Sequence, residues 1–212
     1  VTFTATDACG NSVDRMANVT IVDTTAPTWD ANPGDVTVEC DGAGNAAAFA
    51  AWVSNAGGGS ACDLCGTVMI TNDNPMLSDL CGATGTVTAT FTATDECGGN
   101  TANRMATFTI EDTTPPTWDA NPSSLTLECD GTNDPGGAIA AWLTANGGTG
   151  MASDVCGSVI ITNDYAMIPD PCGGSATISV TFTATDDCGN ASDRVVSLTI
   201  TETTNTYWTT NT

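Results

Sequence analysis

Apolar and polar residues alternate with period two along most of the chain, the spacing of strands with one face buried and the other in water. Val87, Ala89, Phe91 and Ala93 share one face, and Thr88, Thr90, Thr92 and Thr94 the other. Ala106, Phe108 and Ile110 oppose Thr107 and Thr109 in the same way, and Val36, Val38 and Cys40 oppose Thr37 and Glu39. One stretch breaks the alternation: Ala46–Gly59 (AAAFAAWVSNAGGG) and its counterpart Gly136–Gly148 (GGAIAAWLTANGG) are Ala-rich and run into glycines. That composition predicts a short helix in each copy, with Trp52 or Trp142 plugging one end of a core.

The chain repeats itself. VTFTATDACGN at Val1 returns as TATFTATDECGGN at Thr88 and SVTFTATDDCGN at Ser179, with Phe3, Phe91 and Phe182 spaced by 88 and 91 residues. DTTAPTWDANP at Asp23 returns as DTTPPTWDANP at Asp112, VTVECDG at Val36 as LTLECDG at Leu125, and GTVMITND at Gly66 as GSVIITND at Gly157. A period near 90 residues fits a whole small domain. The expected organisation is two complete domains, 23–111 and 112–202. Residues 1–22 are then the last strands of a preceding repeat, and 203–212 begin a following one, with Trp208 in the place of Trp118. The chain reads as a window on a longer tandem array. Short strands, Gly/Asn/Asp/Pro turns and this period predict an all-β fold of tandem immunoglobulin-like antiparallel β-sandwiches, each with one short Ala-rich helix. Pro-containing DTTAPT and DTTPPT mark stiff junctions, and Trp29, Trp118 and Trp208 are expected to pack between domains.

Four cysteines recur in each unit: Cys40, Cys65, Cys81 and Cys97, then Cys129, Cys156, Cys172 and Cys188. Three connectivities are open to four cysteines, and strand direction selects among them. If strand 66–72 runs up, its hairpin partner 86–94 runs down and brings Cys65 to Cys97. The final strand 104–111 then runs up, and a first strand lying parallel to it, as in the Ig-type sandwich, carries Cys40 to Cys81. The expected bridges are therefore 40 with 81, 65 with 97, 129 with 172 and 156 with 188, each contributing about 2–4 kcal/mol. Cys9 stands in the place of Cys97, while Cys62 has Ser153 as its counterpart; a Cys9–Cys62 bridge and a redox or zinc Cys62-Asp-Leu-Cys65 motif are the weaker readings for these two.

Composition narrows the function. Three Arg, no Lys and no His against 25 Asp and Glu give a net charge of −22. So few cations argue against nucleic-acid binding and attraction to anionic lipid. Histidine and Schiff-base lysine chemistry are absent, and no apolar run reaches membrane-spanning length, so direct membrane insertion is not expected. Ten cysteines without histidine favour disulfides in an oxidising compartment, hence an extracellular or cell-surface location.

TFTATDxCGN three times over, a preceding CGxxG segment and DTTPPT before the next strand resemble the hyalin-repeat (HYR-like) domains found in tandem in very large secreted proteins, most of all those of gliding-type, Bacteroidota-like surface proteins. The resemblance covers nearly the whole chain. It implies an Ig-like fold and an adhesive or structural role outside the cell, and it implies no catalytic residue. Cysteine placement departs from the hyalin form.

Several residues carry candidate chemistry beside a bland reading. Thr accounts for 39 residues, largely on outward strand faces where β-branched side chains fit well. Thr24 and Thr113 in the Asp-Thr-Thr segments look like the O-glycosylation signal of Bacteroidota-type secretion, and Asn18 and Asn190 open N-glycosylation sequons. Asp7, Asp95 and Asp186 in the TATD turns, with Asp23, Asp112, Asp30 and Asp119 around the linkers, offer oxygen ligands for calcium; no other cofactor is called for. The bland reading of the acid excess is a solvated, self-repelling surface. Arg15, Arg104 and Arg194 recur at one place and are expected to pair with a domain carboxylate, the TATD aspartate being the candidate. Carboxylates repeated at every turn do not read as an active site, so the chain is not expected to be an enzyme. The expected function is a structural segment of an extracellular fibre, stalk or adhesin, its partners neighbouring repeats or copies of itself, and glycans. A filament protomer assembling by strand complementation and a carbohydrate-binding module are the alternatives.

Overall fold

The structure is a computed structural model and describes residues 1–78, 80–130, 132, 134–168 and 175–203. Its elements in order are β1 (Thr2–Thr6), β2 (Ser12–Met16), β3 (Thr28–Ala31), β4 (Val36–Glu39), α1 (Ala46–Ser54), β5 (Ser60–Cys62), β6 (Val68–Asn72), β7 (Gly85–Asp95) and β8 (Thr101–Glu111). They return as β9 (Thr117–Ala120), β10 (Leu125–Glu128), α2 (Ala138–Thr144), β11 (Met151–Ser153), β12 (Val159–Asn163), β13 (Ala176–Asp186) and β14 (Ala191–Thr201). These make two tandem β-sandwich domains, each a four-stranded sheet (β4-β8-β7-β6, then β10-β14-β13-β12) with a two-stranded one (β3-β5, then β9-β11) and one short helix. As expected of an Ig-type first strand, β4 lies parallel to β8 and β10 to β14, while β6 pairs antiparallel with β7 and β12 with β13.

Contacts group the chain into two compact units. The first comprises Val1–Asp35, Phe49–Pro75 and Thr88–Thr107. Within it, Ala89, Phe91 and Ala93 are fully buried on one face of β7, as the alternation predicts. Trp52 of α1 meets Phe91 edge-on at 5.5 Å, and its Nε1 donates to Gly34 O at 3.0 Å, so the indole fills the core and keeps its one polar group satisfied. Trp29 is half-buried and donates to Ala102 O. β1 and β2 pair with each other as an exposed hairpin.

The second unit comprises Val36–Ala48, Met76–Val87 and Phe108–Thr212. Its core joins Trp118, Ile139, Trp142, Ile168, Val180, Phe182, Ala184, Leu198 and Ile200. Trp142 meets Phe182 edge-on at 5.3 Å and donates to Ser123 O. Trp118, expected between domains, instead belongs to this core: β9 pairs with β11 with Trp118 opposite Ala152, which turns the indole inward. Asp134 starts α2 by accepting the Ile139 and Ala140 N–H groups, which would otherwise lack partners in the first turn.

The cysteines connect differently from expectation. Cys40 is bonded to Cys156 and Cys81 to Cys188, with Cα atoms 6.0 and 5.2 Å apart. Cys65 and Cys97 are free thiols, as are Cys9 and Cys62, which do not bridge. The 40–81, 65–97 and 156–188 pairings are therefore corrected. Cys129 is disulfide-bonded; Cys172, Trp208 and the segment 204–212 lie outside the described residues. The physical reason is local. The segment after Cys81 lies on the Cys156 turn, where Ala83 N–H donates to Cys156 O at 2.9 Å. Gly82 has φ +56°, and a Cβ there would collide with Cys156 O, so only glycine lets this approach happen.

Phe182→Ala removes the ring at the centre of the second core and is expected to lower unfolding free energy by about 3–5 kcal/mol. Urea denaturation monitored by Trp fluorescence checks this; a loss below about 1 kcal/mol contradicts the core assignment.

Candidate functional site

The repeated TATDxCGN motif is a hairpin-end turn built around its aspartate. Asp95 is 2% exposed; its Oδ1 accepts from Gly98 and Gly99 N–H, and its Oδ2 from Asn100 N–H and Nδ2. Asp186 accepts from Cys188 and Asn190 N–H and from Asn190 Nδ2, and Asp7 does the same with Cys9 and Asn11. The Gly98 N–H above all holds the Asp95 carboxyl below its usual range, and the Asn11 amide does so for Asp7. A depressed folded value contributes stability that is fully present above the unfolded pKa and is lost as pH falls through the folded one. The motif's asparagine reaches further: Asn100 Nδ2 donates to Asp23 O and Asn190 Nδ2 to Asp112 O, tying each turn to its DTT segment.

Glu39 fixes the DTT segment at Asp112. Its carboxylate accepts from Thr113 N–H at 2.8 Å, Thr113 Oγ1 at 2.9 Å and Thr114 Oγ1 at 2.8 Å, which lowers its pKa, the Thr113 N–H contributing most. Glu128 holds Thr203 in the same way. The exposed candidate Thr113 thus has its hydroxyl engaged by Glu39, and Thr24 and Asn18 are exposed. Asn190 uses its Nδ2 for Asp112 O and Asp186 Oδ2, so an N-linked sugar would take one of two N–H groups already in use.

The calcium candidates do not converge as a set. Asp7, Asp95 and Asp186 spend their oxygens on turn N–H groups. Asp30 accepts from Cys62 Sγ at 3.1 Å, and Asp119 from Ser153 Oγ at 3.0 Å. Asp23 gathers with Asp63 and Cys65, and Asp112 with Asp154 and Cys156, ligand atoms lying within 4.8 Å in each group. Two carboxylates and a sulfur are a poor set for an ion that takes six to eight oxygens, and the Cys156 sulfur is already bonded to Cys40. Burial, with Asp154, Asp186 and Glu39 nearby, pushes the Asp112 carboxyl up. In the first unit a cavity of about 310 Å³ is bounded by Asp23, Thr28, Cys62, Asp63 and Cys65, and Asp23 Oδ2 is buried there without a hydrogen-bond partner.

Arg side chains meet asparagine rather than the expected carboxylate. Arg104 Nε donates to Asn32 Oδ1 at 2.9 Å and Arg194 Nε to Asn121 Oδ1 at 2.8 Å, while Arg15 Nη1 donates to Asp14 O. The TATD oxygens are already taken by N–H donors. The DANP asparagines were the missed partners; their recurrence in step with the arginines is the signal that could have found them. Tryptophans inside the sandwich, Trp52, Trp118 and Trp142, offer no platform to a sugar ring.

No protein-family profile matches the chain, and no curated protein does. Among solved structures, Drosophila N-cadherin EC1-4 is similar at TM-score 0.32 and 8% identity, over 84% of this chain and 50% of that one. Human protocadherin-24 EC1-2 gives TM-score 0.32 and 11% identity over 84% of this chain and 100% of that one. Tandem Ig repeats of Dlar give TM-score 0.24 and 11% identity, over 83% and 98% of the two chains. The chain thus spans half of the N-cadherin fragment, and scores this low carry nothing about function.

The Asp23 carboxylate foremost, then burial, Asp63 and Cys97, push the Cys65 thiol above its ordinary range. In the isolated 212-residue chain, where Cys65 is a free thiol, its alkylation is therefore expected to reach half its plateau rate at a higher pH than a free cysteine, and Asp23→Asn is expected to move that midpoint down. Mass-spectrometric alkylation rates across pH check this; a midpoint unmoved by the substitution contradicts it.

Proposed function

We propose that the chain is a structural segment of an extracellular fibre, stalk or cell-surface adhesin built from tandem Ig-like repeats of the HYR-like kind, which resemble those of Bacteroidota-type surface proteins. The observation that carries this reading is the placement of the disulfides: Cys40 and Cys81 of one sequence repeat are bonded to Cys156 and Cys188 of the next. A bridge from repeat to repeat transmits tension along a tandem array, which a bridge closed inside one repeat does not. Disulfides also favour an oxidising, extracellular setting. The acid excess keeps such an array soluble and self-repelling, and no reaction is assigned to it. Its partners are further repeats or copies of itself, with glycans on exposed threonine and asparagine.

A second reading, assembly by strand complementation, is favoured by one observation. Phe3 in β1 is 62% exposed, while Phe91 and Phe182 at the same motif position are fully buried. A hairpin with an uncovered apolar face can be completed by strands from elsewhere.

Electron microscopy of native material tests both. Strands of about 7–9 residues at roughly 3.4 Å each, plus a linker, give about 35–45 Å per domain. Fibres with that axial repeat, or twice it, are expected, and discrete compact particles contradict the proposal. Fibres that persist after deletion of residues 1–22 remove the second reading.

A further inference from the structure

The sulfur positions of the first repeat match those of the second, but their bonding does not. Cys65 N–H donates to Asp63 Oδ1 at 2.8 Å, and Cys156 N–H donates to Asp154 Oδ1 at 2.7 Å, so the two cysteines sit on the same Asx turn. Cys97 and Cys188 occupy the same place in the TATDxCG turn. Yet Cys156 and Cys188 are bonded to Cys40 and Cys81, while Cys65 and Cys97 are exposed thiols.

A second difference concerns a carbonyl. Cys156 O accepts the backbone N–H of Ala83, from the Cys-Gly-Ala segment that also supplies Cys81. The matching carbonyl, Cys65 O, is met by the thiol of Cys97 instead. The first repeat therefore presents the receiving half of the same joint: two thiols and one carbonyl whose counterparts are all engaged by a preceding repeat's Cys-Asp-Gly and Cys-Gly segments.

We propose that Cys65 and Cys97 form a covalent docking site for another repeat of this kind, the one preceding it along the polypeptide. Cys65 bonds the sulfur at that repeat's Cys40 position, and Cys97 the sulfur at its Cys81 position. Each bond joins two thiols into one disulfide with loss of two protons and two electrons. A small-molecule or enzyme disulfide takes up both, becoming two thiols by thiol–disulfide exchange. The Cys97 thiol leaves Cys65 O as its sulfur is bonded, and that carbonyl then accepts an N–H from the docking Cys-Gly segment. Gly82 states what that segment needs: a glycine directly after its cysteine, because a Cβ there collides with the receiving carbonyl. Cys9, on the same turn as Cys97 with its N–H on Asp7 Oδ1, is the equivalent sulfur one repeat earlier. Cys62 stands outside the scheme, its thiol directed to Asp30.

The inference rests on the tandem-array reading, and its test separates the two. Native protein is blocked with an alkylating agent without reductant, digested, and its disulfide-linked peptides sequenced by mass spectrometry. The expected result is a Cys65 peptide joined to a cysteine in a Glu-Cys-Asp-Gly context and a Cys97 peptide joined to a cysteine followed by glycine. Neither Cys65 nor Cys97 then carries the label until reductant is added. Cys65 and Cys97 joined to each other, or both labelled as free thiols, overturns the docking site, while the axial repeat of the fibre still stands or falls by microscopy.

Discussion

Two sulfur–sulfur bonds, Cys40–Cys156 and Cys81–Cys188, are the constraint on which the second compact unit depends. They span 116 and 107 residues of sequence. Closing a loop of about 100 residues removes on the order of 4–5 kcal/mol of chain entropy from the unfolded state, although two overlapping loops contribute less than twice that. The apolar core is modest, one phenylalanine and two tryptophans set among Ala, Val, Leu and Ile, and cores of this kind gain most from covalent closure. The glycine at Gly82 and the Asx turn at Asp154 exist to let the bonded segments approach.

The negative charge is put to use in the same architecture. With 25 acids and three arginines, ion pairing cannot organise the surface. Carboxylates instead accept backbone and hydroxyl hydrogens: Asp41 from Asn45 and Ala43, Asp164 from Thr181, Asp187 from Ser158, and Glu39 from Thr113 and Thr114. All four are held below their usual range by these donors. Charge-assisted bonds of this type close turns and hold strand ends without a cation. The arginines are left to brace neutral asparagines, Asn32 and Asn121, and Arg194 lies 6.0 Å from the Trp118 ring.

Much of the fold was legible because it follows from local periodicity. The alternation around Phe91 and Phe182 fixed which faces are buried, the Ala-rich stretches marked α1 and α2, and the hairpin of β6 with β7 followed from strand direction, while the parallel pairing of β4 with β8 came with the Ig-type arrangement. Strand direction even brought Cys97 beside Cys65. Cysteine pairing was not legible, because every repeat carries the same four positions and spacing alone cannot tell a partner in one repeat from its copy in the next. Trp118 misled for a related reason: a residue near a junction in sequence is turned inward by the pairing of β9 with β11. The partners of the turn aspartates were not legible either, because an aspartate in a turn looks the same in sequence whether its oxygens meet an ion or, as in Asp95, four N–H groups.

Pulling single molecules of the chain by its ends tests the central claim, that disulfides running from one repeat to the next carry load along it. With Cys40–Cys156 and Cys81–Cys188 closed, most of the residues between them lie in loops that tension cannot reach. Under oxidising conditions stretching is then predicted to release less than half of the contour length, with the remainder appearing only after reductant is added. Release of the whole contour length without reductant would contradict the account.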